Sequence, residues 1–108
     1  MRNRGSAVLI DKEKGRIGLI KRNKENIIYY VFPGGGIEDG ETPEDATVRE
    51  GFEELGVTIE IKELIVSIKH NGTQYFYLAE IIEGEFGTGT AGEFTDPNRN
   101  RGTYEPIW

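Results

Sequence analysis

Glu50, Glu53 and Glu54 stand at i, i+3 and i+4, the spacing that brings side chains together on one face of a helix. Like charges so placed destabilise a helix by about 0.2–0.5 kcal/mol per pair unless something binds them. Hard divalent cations are the natural occupants. Mg²⁺ above all takes carboxylate oxygens while keeping waters or substrate phosphates in its shell. Just upstream run Gly34, Gly35 and Gly36, whose missing side chains let a backbone approach a ligand closely. Carboxylates beside a glycine turn read as a Mg²⁺ and phosphate site, with Mn²⁺ as a substitute ion. The plainer alternative is a solvated acidic face.

The elements that must position these groups are legible around them. Thr42 is placed to N-cap a helix, Pro43 suits its first turn, and Asp45 completes a capping-box pattern. Gly56 follows as a left-handed stop, which predicts a helix over residues 43–55. Val48, Phe52 and Leu55 form its apolar stripe. Gly51 lies on that same side, at a cost of about 1 kcal/mol relative to alanine. Either a close helix–sheet approach or tolerated weakness accounts for it, so it bears on packing and not on chemistry.

The whole stretch then has a recognisable form. Gly35, Glu41, Arg49-Glu50, Glu53-Glu54 and Gly56-Val57 are spaced as in the Nudix box, G-x5-E-x7-R-E-U-x-E-E-x-G-U, where U is a bulky apolar residue. The chain resembles a Nudix hydrolase, departing only at the first U, where Gly51 stands. The resemblance implies an α/β fold, a Nudix-type α/β/α sandwich on a mixed sheet. It implies Mg²⁺-dependent hydrolysis of a nucleoside diphosphate linked to another moiety. Glu50, Glu53 and Glu54 would hold the metal, with Glu41 supporting the shell directly or through water and the Gly34 carbonyl joining it. Arg49 would pair with these carboxylates and fix their direction, and Gly35 and Gly36 would border the substrate. The general base would be a box glutamate or one further glutamate from a late loop, for which Glu93 and Glu105 are the candidates. The alternative is a catalytically silent Nudix-fold module that senses a nucleotide; such a module is expected to have lost box glutamates, and this chain keeps them.

The flanking chain reads mostly as strands. SAVLI at 6–10 and RIGLI at 16–20 predict a hairpin across a charged turn, and IIYYVF at 27–32 a third strand ended by Pro33. After the helix, residues 57–61 and 64–68 alternate in opposite phase, so a bulge is expected at Lys62-Glu63. Asn71-Gly72 is a hairpin signal, with His70 at the surface beside it. The returning strand, 74–82, is apolar on both faces and should be central. Its Tyr75 and Tyr77 could stack on a base, although strand aromatics are more often core. From Glu83 to Thr103 there is no periodicity, and Arg99 and Arg101 are candidates there for phosphate contacts. TYEPIW at the end reads as a strand.

At 108 residues with a net charge of −6, the chain is expected to form a single domain, 1–108, burying about 65% of its unfolded surface. Residues 41–60 hold seven acids against one arginine, so the acidity is largely the site itself. That argues against a nucleic-acid surface and for a metal bridging to a small anionic substrate. The absence of cysteine excludes disulfides and thiolate metal centres. No apolar run reaches the roughly 20 residues that span a membrane and no signal peptide is evident, so a cytoplasmic location is expected. Strands apolar on both faces need two covers, and one helix supplies one. A closing helix lost by truncation, or a homodimer through the open sheet face, is expected to account for the other.

Overall fold

The structure is a computed structural model that describes residues 2–89 and 103–108. Its main sheet is mixed. β1 (Arg4–Asp11) runs parallel to β7 (Thr73–Gly84), from Arg4 beside Gln74 to Leu9 beside Ala79. β7 also pairs antiparallel with β6 (Val57–Lys69), so it is central, as its two apolar faces require. The other edge of β1 is shared. β5 (Gly34–Gly36) lies against Arg4–Ser6, and β2 (Arg16–Ile17) against Ile10 and Asp11. A second, antiparallel sheet places β3 (Leu19–Lys24) between β4 (Ile27–Val31) and β8 (Thr103–Ile107). Among the described residues there is one helix, α1 (Pro43–Leu55), packed on β1, β5 and β6.

The helix ends where its sequence says it should. The Thr42 side chain accepts the Asp45 N–H at 3.1 Å, and the Asp45 carboxylate accepts the Thr42 N–H at 3.4 Å. Gly56 closes the helix with φ 76° and donates its N–H to the Phe52 carbonyl. The buried face, however, is Ala46, Thr47, Gly51 and Leu55. Phe52, expected in the apolar stripe, is 62% exposed. Small residues carry the contact because the helix lies close to the sheet. A side chain at Gly5 would collide with Thr47, and one at Gly51 would press the Ile59 methyl at 3.3 Å. Of the two readings of Gly51, close approach is the one observed. Leu55, Val57 and Ile59 then join Ala7, Leu9 and Ala79, with Ile20 from the second sheet, in one core.

Two sequence expectations are corrected. The run 16–20 is not one strand: at Gly18 the chain leaves the main sheet for the second. The Gly18 N–H still bonds the Leu9 carbonyl at 2.9 Å, while a Cβ there would crowd Phe86 at 3.2 Å. The three glycines expected as a turn are a short strand on β1. The β6 bulge expected at Lys62-Glu63 is present as a register shift between Ile61 and Glu63, and Asn71 and Gly72 form their turn with φ 53° and 100°. His70 is exposed. On the sheet face away from α1, Ile10, Val66, Ile68 and Ile82 are 43–59% exposed, so that face is open among the described residues.

Candidate active site

Arg49 is the hub on which the acidic residues are arranged. Its Nε donates to Glu41 Oε2 at 2.7 Å and its Nη2 to Glu41 Oε1 at 3.1 Å, a bidentate pair. Nη1 donates to Glu50 Oε1 at 2.6 Å and to Glu53 Oε2 at 3.3 Å, and Nη2 also reaches the Gly36 carbonyl at 3.0 Å. One guanidinium thus ties the loop before α1, two turns of α1 and the glycine strand together. Glu41 is held a second time, because its Oε1 accepts the Glu38 N–H at 2.9 Å. The hydrogen bonds from Arg49, with the Glu38 amide behind them, hold the Glu41 carboxyl below the usual glutamate range. The same pairing, with Glu41 first and Glu50 next, raises the Arg49 pKa further above its already high value, against the opposing effect of burial.

The glycine strand is cut to fit its neighbours. The Gly34 N–H donates to Glu54 Oε1 at 2.8 Å. A Cβ on Gly34 would meet the Ser6 side-chain oxygen at 2.6 Å, and one on Gly35 would meet the Glu50 carboxylate at 2.5–2.8 Å. A Cβ on Gly36 would collide with the Arg2 guanidinium. Each glycine therefore makes room for a different polar group, and one of those groups, the Glu50 carboxylate, belongs to α1.

Glu50, Glu53 and Glu54 and the three glycines form one wall of a cavity of about 430 Å³. Arg2, Arg4, Arg22 and Tyr104 line it as well, and these four were not singled out by the sequence reading. The signal that could have found Arg4 is register, since the strand pairing sets it opposite Gly36. Glu41 lies behind Arg49 and outside this lining. Tyr75 and Tyr77 do not line it either: Tyr77 is 5% exposed, stacks on Tyr75 and donates its hydroxyl to Glu44 at 3.1 Å. Burial first, and the Glu44 carboxylate second, push the Tyr77 phenol up to about 12. Glu105 sits on β8 opposite Lys21, exposed and outside the lining, although its neighbour Tyr104 is within it. Glu93, Arg99 and Arg101 lie outside the described residues.

Among the described residues no three carboxylates already gather into a closed metal cage. The hydrogen bonds account for this: Arg49 draws Glu41, Glu50 and Glu53 toward itself, and the Gly34 amide takes Glu54. The donor set still fits a hard divalent ion. Mg²⁺ is commonly held by one or two carboxylates with waters and substrate phosphates completing its octahedron, and does not need a cage made wholly of protein.

Comparison with known proteins gives a consistent picture. The model of the NUDIX domain family matches residues 1–97. An 8-oxo-dGTP diphosphatase of Escherichia coli (strain K12) is 46% identical over 87 aligned positions, covering 64% of this chain and 67% of that protein. An RNA pyrophosphohydrolase of Vibrio vulnificus (strain YJ016) is 40% identical over 63 residues, covering 58% of this chain but 36% of its own length. The chain thus spans little more than a third of that relative. In fold, an ADP-ribose pyrophosphatase from Streptococcus suis superposes with a TM-score of 0.66 at 20% identity, over 99% of this chain and 69% of its own. A structure from a study of MutT from Aliivibrio salmonicida and Vibrio cholerae gives 0.70 at 21% identity, over 98% and 76%.

Proposed function

The chain belongs to the NUDIX family, and from that membership we propose that it hydrolyses a phosphoric anhydride in a nucleoside diphosphate linked to another group, with Mg²⁺ held by Glu50, Glu53 and Glu54. The observation that carries this reading is the convergence of those glutamates, oriented through Arg49 and Gly34, on one wall of a polar cavity. When bound there, the ion supplies charge for the phosphoryl oxygens and acidifies the attacking water. The rest is done by the chain itself. Arg49 holds Glu50 and Glu53 in orientation, and Glu41 anchors Arg49 from behind. Gly34 fixes the direction of Glu54 through its N–H, and its carbonyl is the proposed backbone ligand. Gly35 and Gly36 leave the floor low enough for phosphate to approach. A glutamate of this wall, or Glu93 from outside the described residues, takes the proton of the water, which requires it within about 3 Å of that water or one water further away. The substrate is a small cytoplasmic nucleotide derivative.

The test couples binding to chemistry. Millimolar Mg²⁺ or Mn²⁺ is expected to raise the melting temperature, because an ion that binds only the folded state stabilises it by mass action. The same ion is expected to switch on anhydride cleavage, read chromatographically as the two phosphorylated products, in at least one of a panel: nucleoside triphosphates, nucleotide sugars, ADP-ribose, dinucleoside polyphosphates and coenzyme A. Metal-independent melting together with inertness across the panel would overturn the reading.

We further propose that the open sheet face mediates self-association. Ile10, Val66, Ile68 and Ile82 lie on it with 43–59% of their surface exposed, and apolar patches of this kind usually mark interfaces. Light scattering after size exclusion is expected to show a concentration-dependent dimer that Ile68→Lys dissociates. A monomer at all concentrations would refute it.

A further inference from the structure

The turn at Asn71-Gly72 does more than reverse the chain between β6 and β7, because it also holds the start of β1. The Asn71 carbonyl accepts the Arg2 N–H at 3.3 Å, and the Asn3 side-chain oxygen accepts the Thr73 N–H at 2.9 Å. The Asn3 carbonyl takes the Ile37 N–H at 2.9 Å, one residue past the glycine strand, and the Arg2 side chain lies on Gly36. Two residues thus tie this turn to the strand that borders the candidate active site.

Close packing dictates the glycine. Gly72 has φ 100°, and a Cβ there would meet the Arg2 carbonyl oxygen at 2.5 Å. A glycine after an asparagine has a chemical consequence as well. The asparagine side-chain carbonyl carbon is one five-membered ring away from the next backbone nitrogen, and a Cβ on that next residue is what hinders closure. Asn71 is exposed at a hairpin tip and has φ 53°, a left-handed conformation that non-glycine residues keep only where their surroundings impose it. Among the described residues, the hydrogen bonds of the turn use the Asn71 and Gly72 carbonyls and the His70 N–H. They involve neither the Asn71 carboxamide nor the Gly72 N–H.

We propose that Asn71 is a self-modification site, converting to isoaspartate and aspartate, and that the isoaspartate releases Arg2 and Asn3 from the turn. The Gly72 nitrogen attacks Asn71 Cγ and forms the new C–N bond. The side-chain amino group leaves with the displaced Gly72 proton as ammonia, and a succinimide remains. Water then opens the ring at either carbonyl. Opening at the backbone carbonyl of residue 71 routes the chain through Cβ and Cγ, lengthens it by one carbon and turns that carbonyl into a free carboxylate. Water is the sole co-reactant and no electrons are transferred. The oxygen that accepted the Arg2 N–H is then no longer part of the turn backbone, so the tie is lost. None of this depends on the hydrolase reading.

The test ages the folded wild-type chain and Asn71→Gly in warm, mildly alkaline buffer. Glycine accepts the positive φ and removes the carboxamide. Peptide mass spectrometry locates each new acid, and enzymatic methylation identifies isoaspartate. Acid is expected at Asn71 faster than at Asn3, Asn23 or Asn26, all followed by residues with side chains, by on the order of 10-fold or more. Hydrogen exchange at the amides of residues 2–4 is expected to quicken in aged wild type in proportion to its isoaspartate, and to be the same in fresh and aged Asn71→Gly. Asn71 that keeps its amide, or loses it no faster than the other three, would overturn the modification site. Isoaspartate with unchanged exchange at residues 2–4, or exchange that quickens equally on ageing Asn71→Gly, would overturn the release.

Discussion

Glu54→Gln is expected to lower turnover on the order of 100-fold or more while leaving the fold in place. The fold should survive because glutamine keeps the size of the side chain and a carbonyl oxygen. The Gly34 N–H, now 2.8 Å from Glu54 Oε1, can still donate to it. What is lost is charge at the proposed metal wall. Disturbing even the groups that orient metal ligands typically costs 10–100-fold, and removing the charge of a ligand should cost no less. The signature is a fall in kcat with an almost unchanged melting curve without metal. A variant that hydrolyses its substrate at the wild-type rate would remove Glu54 from the machinery.

Arg49→Ala is expected to be the most disruptive substitution in the site, acting on stability and activity together. The side chain is 24% exposed, and its partners Glu41 and Glu50 are 19% and 17% exposed. Deleting it takes from these carboxylates the guanidinium they share with Glu53, and breaking a partly buried pair by removing one partner is destabilising. It also frees the Gly36 carbonyl and the loop carrying Glu41. The melting temperature without metal should fall, and added Mg²⁺ should restore part of the loss by supplying the missing positive charge. Arg49→Lys should rescue little, because an ammonium cannot reproduce a fork that reaches Glu41 twice, Glu50 and Gly36 at once. Calorimetry of the three chains with and without Mg²⁺ measures this. An alanine variant as stable as the wild type would show that Arg49 does not organise the site.

Acid should weaken the same linkage. The Glu41 carboxyl is held below its usual range, so its contribution is complete above the unfolded-state value and disappears as pH falls through the lower folded-state value.

How far these features can be read from the chain differs from residue to residue. α1 was legible to its ends because Thr42, Pro43, Asp45 and Gly56 act locally, through the backbone within a turn of themselves. The grouping of Glu50, Glu53 and Glu54 followed from helical period alone. Which face of α1 is buried did not. Residue type nominated Phe52, but the close approach of helix to sheet favours Ala46, Thr47 and Gly51, and that distance is set by tertiary packing. The transfer of the chain between sheets at Gly18 was likewise hidden, since both halves of RIGLI are apolar and only the neighbours Leu9 and Phe86 demand a glycine there. The β3–β4 turn went unread because Glu25 and Asn26, with φ 53° and 65°, are not a common pair for that conformation. The basic side of the cavity was least visible of all. Arg2 lies just before β1, Arg4 on β1 and Arg22 on β3 of the other sheet, so they meet only in the fold and no spacing in the sequence joins them to the glutamates.

On the proposed function, the glutamates of α1 run a metal-dependent anhydride hydrolysis. The decisive measurement is chromatographic detection of the two phosphorylated cleavage products formed from the panel of nucleotide diphosphate derivatives by the wild type and by Glu54→Gln, with Mg²⁺ and with chelator. Cleavage by the wild type is expected only with Mg²⁺, and cleavage by the variant is expected to be lower on the order of 100-fold. Equal cleavage by both chains, or cleavage that persists in chelator, would contradict a metal-dependent role for the α1 glutamates.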